Sequence, residues 1–226
     1  MDNHPLDNPV WSSLSESHQA FSIELEGVKF YQPDIAPFGG FIDIENTANG
    51  LAQYAEFSDE FFILGERPNC AYPAVFNSEL VCEQMVIDRR INIQGSDQIV
   101  QIGREDSTAL FDLVNMVQPG YFKQRTSVLG NYYGIYKEGI LVAVTGERMN
   151  MNAYTEVSAV VTDPEHTGKG YAKILVSHVV DKILSEGKMP FLHVAESNEL
   201  AIILYKKLGF VTRRKISLWR YKKLVD

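Results

Sequence analysis

The chain has 226 residues, 45% of them apolar and 22% charged, which is enough for a sizeable buried core and far from a disordered composition. Its formal charge of −8 argues against a general nucleic-acid binder, since affinity for phosphate backbones comes mainly from Lys and Arg. Apolar runs such as 61–64 and 140–144 fall far short of the roughly 20 residues a membrane span requires. The start Met1-Asp2-Asn3-His4-Pro5 has neither a basic stretch nor an apolar core, so the expected compartment is the cytoplasm. Cys70 and Cys82 lack metal-ligand spacing and are expected to be buried free thiols; no metal is expected.

Taken along the chain, the first part is rich in aromatics (Phe30, Tyr31, Phe38, Phe41, Phe61, Phe62) and broken by Pro33, Pro37, Pro68 and Pro73. Short elements are expected there: helices over 11–20 and 48–55, strands over 28–31 and 61–64. Most of these aromatics are expected to be core. The pattern changes near Gln94-Gly95-Ser96-Asp97, which divides the chain into an N-terminal α/β extension, residues 1–96, and a second domain, residues 97–226.

Beyond that point Leu110, Leu113, Val114 and Val117 mark one face of a helix that Pro119-Gly120 stops. Strands over 132–136 and 140–144 flank Lys137-Glu138-Gly139 as a hairpin, and 156–161 supplies a third strand. Ala172, Leu175, Val176, Val179, Val180 and Ile183 line a helix that ends at Gly187. A strand over 191–195 follows, then a helix from the N-cap Asn198 to Gly209, and a last strand pair or single long strand over 210–221.

Strand 156–161 runs through Asp163-Pro164-Glu165-His166-Thr167-Gly168-Lys169-Gly170 into the helix that begins Tyr171-Ala172. Two glycines let backbone approach a ligand, and the N–H groups of a helix start favour a phosphate. Lys169 and Lys173 add positive charge. A Walker A loop would need Ser or Thr after Lys169, where Gly170 stands, and a dinucleotide fingerprint would need a third glycine where Lys173 stands. By itself such a turn is more often a plain helix start.

The segment nevertheless resembles the cofactor motif of the GNAT superfamily of N-acetyltransferases, Gln/Arg-x-x-Gly-x-Gly/Ala, at Gly170 and Ala172, with Thr167 in place of the usual Arg or Gln. Independently, Asn198-Glu199-Leu200-Ala201-Ile202-Ile203-Leu204-Tyr205-Lys206-Lys207-Leu208-Gly209-Phe210 is similar to the family's N-x-x-A-x-x-L-Y-x-x-x-G-F, with every fixed position filled. The resemblance covers residues 97–221 and is weaker upstream, where residues 1–96 look like the extension of some bacterial members, including a degenerate half-copy of the fold.

The resemblance implies an α/β (α+β) protein with a mixed, mostly antiparallel sheet flanked by helices. It implies an N-acetyltransferase that transfers acetyl directly from acetyl-coenzyme A to a primary amine of a small molecule or peptide. The cofactor residues it implies are Val160, Val161, His166, Thr167, Gly168, Lys169, Gly170, Tyr171, Ala172, Asn198 and Tyr205. Asn198 would contact the pantetheine arm, a backbone N–H near Val160 or Val161 would receive the oxyanion, and Tyr205 would lie by the thioester sulfur. Glu156 is the candidate base, expected to share a face with Ser158 and Val160 by the period of two. A solvated strand carboxylate is the plainer reading of Glu156, and an N-cap that of Asn198. His178 and His193 read as structural. The N-terminal part could wall the acceptor site or bury an interface between subunits, as in a homodimer. Two other readings stay open: an acyl-coenzyme A binding or sensing module without turnover, and an acyltransferase using a longer acyl-coenzyme A.

Overall fold

A computed structural model of the chain describes residues 4–92 and 97–224, so of the pattern change near residues 94–97 only Asp97 lies among the described residues. In chain order the elements are α1 Pro9–Ser15, β1 Ser22–Leu25, β2 Val28–Tyr31, β3 Phe38–Phe41, α2 Thr47–Tyr54, β4 Glu60–Gly65 and β5 Ala74–Val86. Then come β6 Val100–Gln101, α3 Ser107–Val117, β7 Tyr132–Lys137, β8 Ile140–Asn150, β9 Tyr154–Thr162, α4 Tyr171–Ser185, β10 Met189–Ala195, α5 Glu199–Leu208 and β11 Val211–Lys223.

All the strands join one sheet in the order β1-β2-β3-β4-β11-β5-β10-β9-β8-β7-β6. Two neighbouring pairs are parallel, β3 with β4 and β9 with β10, and the others are antiparallel. The fold is thus the expected α/β architecture with a mixed, mostly antiparallel sheet. At its centre β5 and β11 pair from Ala74 against Lys223 to Val86 against Val211. The order is symmetric about that pair. Moving outward on either side, one meets an antiparallel neighbour (β4 or β10), then its parallel partner (β3 or β9), then an antiparallel strand (β2 or β8). Each side receives one strand from the other, since β5 lies between β10 and β11, and β11 between β4 and β5.

Local sequence explains the elements closest to the site. Leu175, Val176, Val179, Val180 and Ile183 of α4 are fully buried against β7–β10, as the helical spacing requires. The β7–β8 hairpin turns on Glu138 and Gly139, both at positive φ, the geometry that lets a two-residue turn follow the twist of its strands. The 210–221 segment is one strand, β11, rather than a pair. The helix expected over 11–20 ends at Ser15, and β1, β3 and β5 were not foreseen. Most of the N-terminal aromatics are core, with Phe30, Tyr31, Phe38, Phe41, Phe61 and Phe62 all buried. Phe57 and Tyr72 are exposed. A shared core of Leu6, Val10, Tyr31, Phe38, Cys82, Met149, Phe191 and Ile216 joins residues from before and after position 97. Cys82 is buried as expected; Cys70 is exposed, a correction of its reading as a buried thiol.

Candidate active site

Strands β9 and β10 pair only from Met189 opposite Tyr154 to Phe191 opposite Glu156. Past Glu156 they part, because β9 contains a bulge. Val161 opposes Val144 and Ser158 opposes Gly146, which leaves Ala159 and Val160 facing the single residue Thr145. Ala159 takes φ 52, a left-handed backbone that an alanine adopts at a cost of about 1–2 kcal/mol. The bulge also overturns the expected face-sharing: the period of two that should carry Glu156 through Ser158 to Val160 is interrupted at Ala159.

The opening leads to a cavity of about 300 Å³ lined along one wall by residues 156–161 and along another by Val194, Ala195, Asn198, Ala201 and Tyr205. The side facing the N-terminal part is closed by Phe38, Leu64, Leu80 and Cys82. Val160, Val161, Asn198 and Tyr205 therefore meet at one site. Asn198 is the N-cap of α5, its side chain accepting from the Ala201 N–H at 3.1 Å, and it lines the cavity as well. Burial, the sole cause, pushes the Tyr205 phenol far above its ordinary pKa, and its hydroxyl has no hydrogen-bond partner among the described residues. It remains a donor at neutral pH.

His166, Thr167, Gly168, Lys169 and Gly170 form the turn from β9 into Tyr171 and Ala172 at the start of α4. Gly168 and Gly170 sit at φ 76 and φ 82, where a side chain would be strained, and the space above each is open. Gly170 is the N-cap of α4 and supplies no side-chain cap, so the helix start presents its N–H groups outward. Thr167 turns its hydroxyl onto the Pro164 carbonyl, and Lys169 approaches His166 Nδ1 at 3.2 Å. A turn of open backbone amides at a helix start with one lysine beside it is an arrangement that favours an anion.

Glu156 is neither solvated nor free. Arg148 of β8 donates to it from Nε at 2.7 Å and from Nη2 at 2.8 Å, and His193 of β10 holds the same carboxylate through Nδ1 at 2.8 Å. Burial alone would raise its pKa, but the Arg148 charge and the hydrogen bonds from Arg148 and His193 outweigh that and hold the carboxyl at about 2. Such a carboxylate is a weak proton acceptor near pH 7, which corrects the expectation of Glu156 as base. His193 is committed too. Gln84 Nε2 lies 3.1 Å from His193 Nε2 and donates to the Leu6 carbonyl at 2.8 Å, so both ring nitrogens of His193 are engaged, Nδ1 by Glu156 and Nε2 by Gln84. Arg213 joins Gln84 Oε1 to Asp7, extending the network into the N-terminal segment.

Arg148, His193 and Cys82 escaped the sequence reading as site residues. Burial pushes the Cys82 thiol up to about 11, so it too stays protonated. Only the His193 position offered a signal, since it lies on the strand that borders the opening. Among the described residues no group of three or more His, Cys, Asp or Glu could hold a metal.

Residues 132–219 match the model of the FR47-like protein family. A GNAT-family protein of Novosphingobium aromaticivorans superposes with a TM-score of 0.87 at 28% identity, covering 99% of this chain and 100% of that one. An N-acetyltransferase structure from Kribbella flavida, at 11% identity, shares the fold with a TM-score of 0.62 over 95% of this chain and 96% of its own. A spermidine N(1)-acetyltransferase of Vibrio cholerae is 42% identical over 55 residues, a match spanning 23% of this chain and 31% of that relative. With this sheet, this interrupted strand pair and this matched segment, the chain is similar to acetyltransferases of the GNAT superfamily and shares their fold.

Proposed function

We propose that the protein is an acetyl-coenzyme A-dependent N-acetyltransferase acting by direct attack of a primary amine on the acetyl thioester. The observation that carries this reading is the opening between β9 and β10, which brings the bulged backbone of residues 158–161, Asn198 and Tyr205 around one cavity, while β9 runs on into the Gly168–Gly170 turn. The backbone amides of residues 168–172 and Lys169 would hold the phosphates, and Asn198 the pantetheine arm. The thioester supplies the acetyl group.

The protein's own residues would then do three things. A backbone N–H at the bulge, near Val160 or Val161, would stabilise the oxyanion, as preorganised donors do in acyl transfer. Tyr205 would donate a hydrogen bond to the departing sulfur. Full proton transfer from a phenol raised by burial to a thiolate of pKa about 8.5 is uphill, so hydrogen bonding is the role assigned here. Glu156 would position rather than deprotonate, orienting Arg148 and His193. With both nitrogens of His193 engaged, the proton of the amine passes to solvent. For an amine of pKa about 10.4, losing it at pH 7 costs about 4–5 kcal/mol.

We propose further that residues 1–96 are a degenerate copy of the same fold joined to the 97–226 domain by strand exchange, which the symmetric strand order supports. The protein is expected to work as a cytoplasmic enzyme.

The test is a thermal-shift titration with acetyl-coenzyme A and coenzyme A, followed by thiol release in a panel of amines. A stabilisation saturating with acetyl-coenzyme A and amine-dependent thiol release are expected, with kcat/KM rising with pH toward the pKa of the amine. No shift and no release with any amine would refute the reading.

A further inference from the structure

We propose that the acceptor is a small monoamine bearing a carboxylate and an apolar body, as an apolar α-amino acid does, and that Arg148 receives the carboxylate. This rests on the acetyltransferase reading above and narrows it to a substrate class. Phe38, Leu64, Cys82, Tyr121 and Leu218 line the cavity together with Arg148, which gives it a largely apolar body around one guanidinium. The two bonds from Arg148 to Glu156 occupy the Nε/Nη2 edge, and the guanidinium carbon lies 4.5 Å from the Phe38 ring centroid. Nη1 has no hydrogen-bond partner among the described residues, and Arg148 lines the cavity. A guanidinium with one edge paired and its face on an aromatic ring presents its remaining N–H groups in a fixed fork, the geometry that suits a carboxylate.

The charges lining the cavity point the same way. Glu156 is the one carboxylate among them, and both its oxygens are taken by Arg148 and His193. A polyamine brought into this cavity would leave its second ammonium unpaired beside a guanidinium, an arrangement that burial penalises heavily. An anionic group meets a donor instead. Tyr121, Ser158 and Gln118 add polar groups to the lining but no negative charge.

Matched pairs decide this on the native enzyme. Initial rates with acetyl-coenzyme A are compared for L-phenylalanine against phenethylamine and for L-leucine against isoamylamine, with spermidine alongside. Each amino acid is expected to exceed its decarboxylated partner in kcat/KM by about tenfold or more, the scale on which a site built to pair a polar group rejects an analogue lacking it. Spermidine is expected to be the poorest. In Arg148→Lys, which keeps the cation opposite Glu156 but loses the fork, the ratio within each pair falls toward one through KM of the amino acid. Should that variant fail to fold, the native pairs suffice. Equal or faster turnover of phenethylamine, isoamylamine or spermidine overturns the substrate class while leaving acetyl transfer intact, whereas loss of acetyl-coenzyme A binding itself overturns the reading beneath it.

Discussion

The two parallel pairs of the sheet, β3/β4 and β9/β10, occupy equivalent places on either side of the central β5/β11 pair, and only chemistry separates them. After β9 the chain makes the Gly168–Gly170 turn and enters α4 with open helix-start amides and Lys169 at hand. After β3 it reaches α2 through Asp43, which caps its own turn by accepting from the Glu45 N–H, so two carboxylates stand where an anion would have to approach. The strand ends differ as well. Beside β3, Asn8 at the start of α1 donates to the Phe41 carbonyl, and a side chain on Gly40 would collide with Asn8 and Trp11. Beside β9 the bulge at Ala159 holds the strands apart over the cavity. The same topology leaves a cavity and an open glycine turn on the side of β9, and a packed wall where acids and a helix fill the space on the side of β3.

That contrast can be broken most severely at Glu156. Glu156→Ala leaves Arg148 charged and buried without its partner, and a loss of about 3–5 kcal/mol is expected, read from urea unfolding. The seam between the two sides should respond next, through pH. His18 Nδ1 lies 2.9 Å from both the Ser13 and the Tyr31 hydroxyls, and its Nε2 reaches the Leu129 carbonyl across the seam. Burial, opposed by the Leu129 carbonyl and aided by the Lys188 charge, lowers its pKa from 6.5 to about 4. A folded pKa below the unfolded one means the unfolded chain takes up the proton first as pH falls. Stability present above pH 6.5 is therefore lost between 6.5 and about 4, on the order of 3 kcal/mol, and His18→Gln should flatten that slope in unfolding measured across the window.

At the cradle, Gly170→Val forces a branched residue to φ 82 and covers the open approach to the helix start. A rise of about tenfold or more in KM for acetyl-coenzyme A is expected, equivalent to about 1.4 kcal/mol. Tyr205→Phe removes a hydroxyl that has no partner in the protein, so kcat should fall by about tenfold while the melting temperature stays nearly unchanged. The smallest effect belongs to the other side. Glu45→Gln, at the exposed start of α2, should leave acetyl-coenzyme A kinetics within error; a change comparable to that at Gly170 would mean that both turns bind the cofactor.

Sequence by itself determined what depends on neighbours in the chain. The helical spacing of α4, the Glu138-Gly139 turn, the glycines at positive φ before α4 and the Asn198 cap are local requirements, readable because backbone conformation and amphipathic period are set within a few residues. The gathering of Asn198 and Tyr205 with the strand leading to the cradle was legible only through the resemblance of two spaced motifs to those of the GNAT superfamily. Tertiary structure alone decided the rest. Exchange of β5 and β11 between the two sides, the bulge at Ala159, and the pairing of Glu156 with Arg148 and His193 all join residues from separate strands, and no local pattern records them. Glu156 shows the physical reason most directly. Its charge state and its role follow from burial and from a guanidinium on the next strand, quantities that exist only once the sheet has formed.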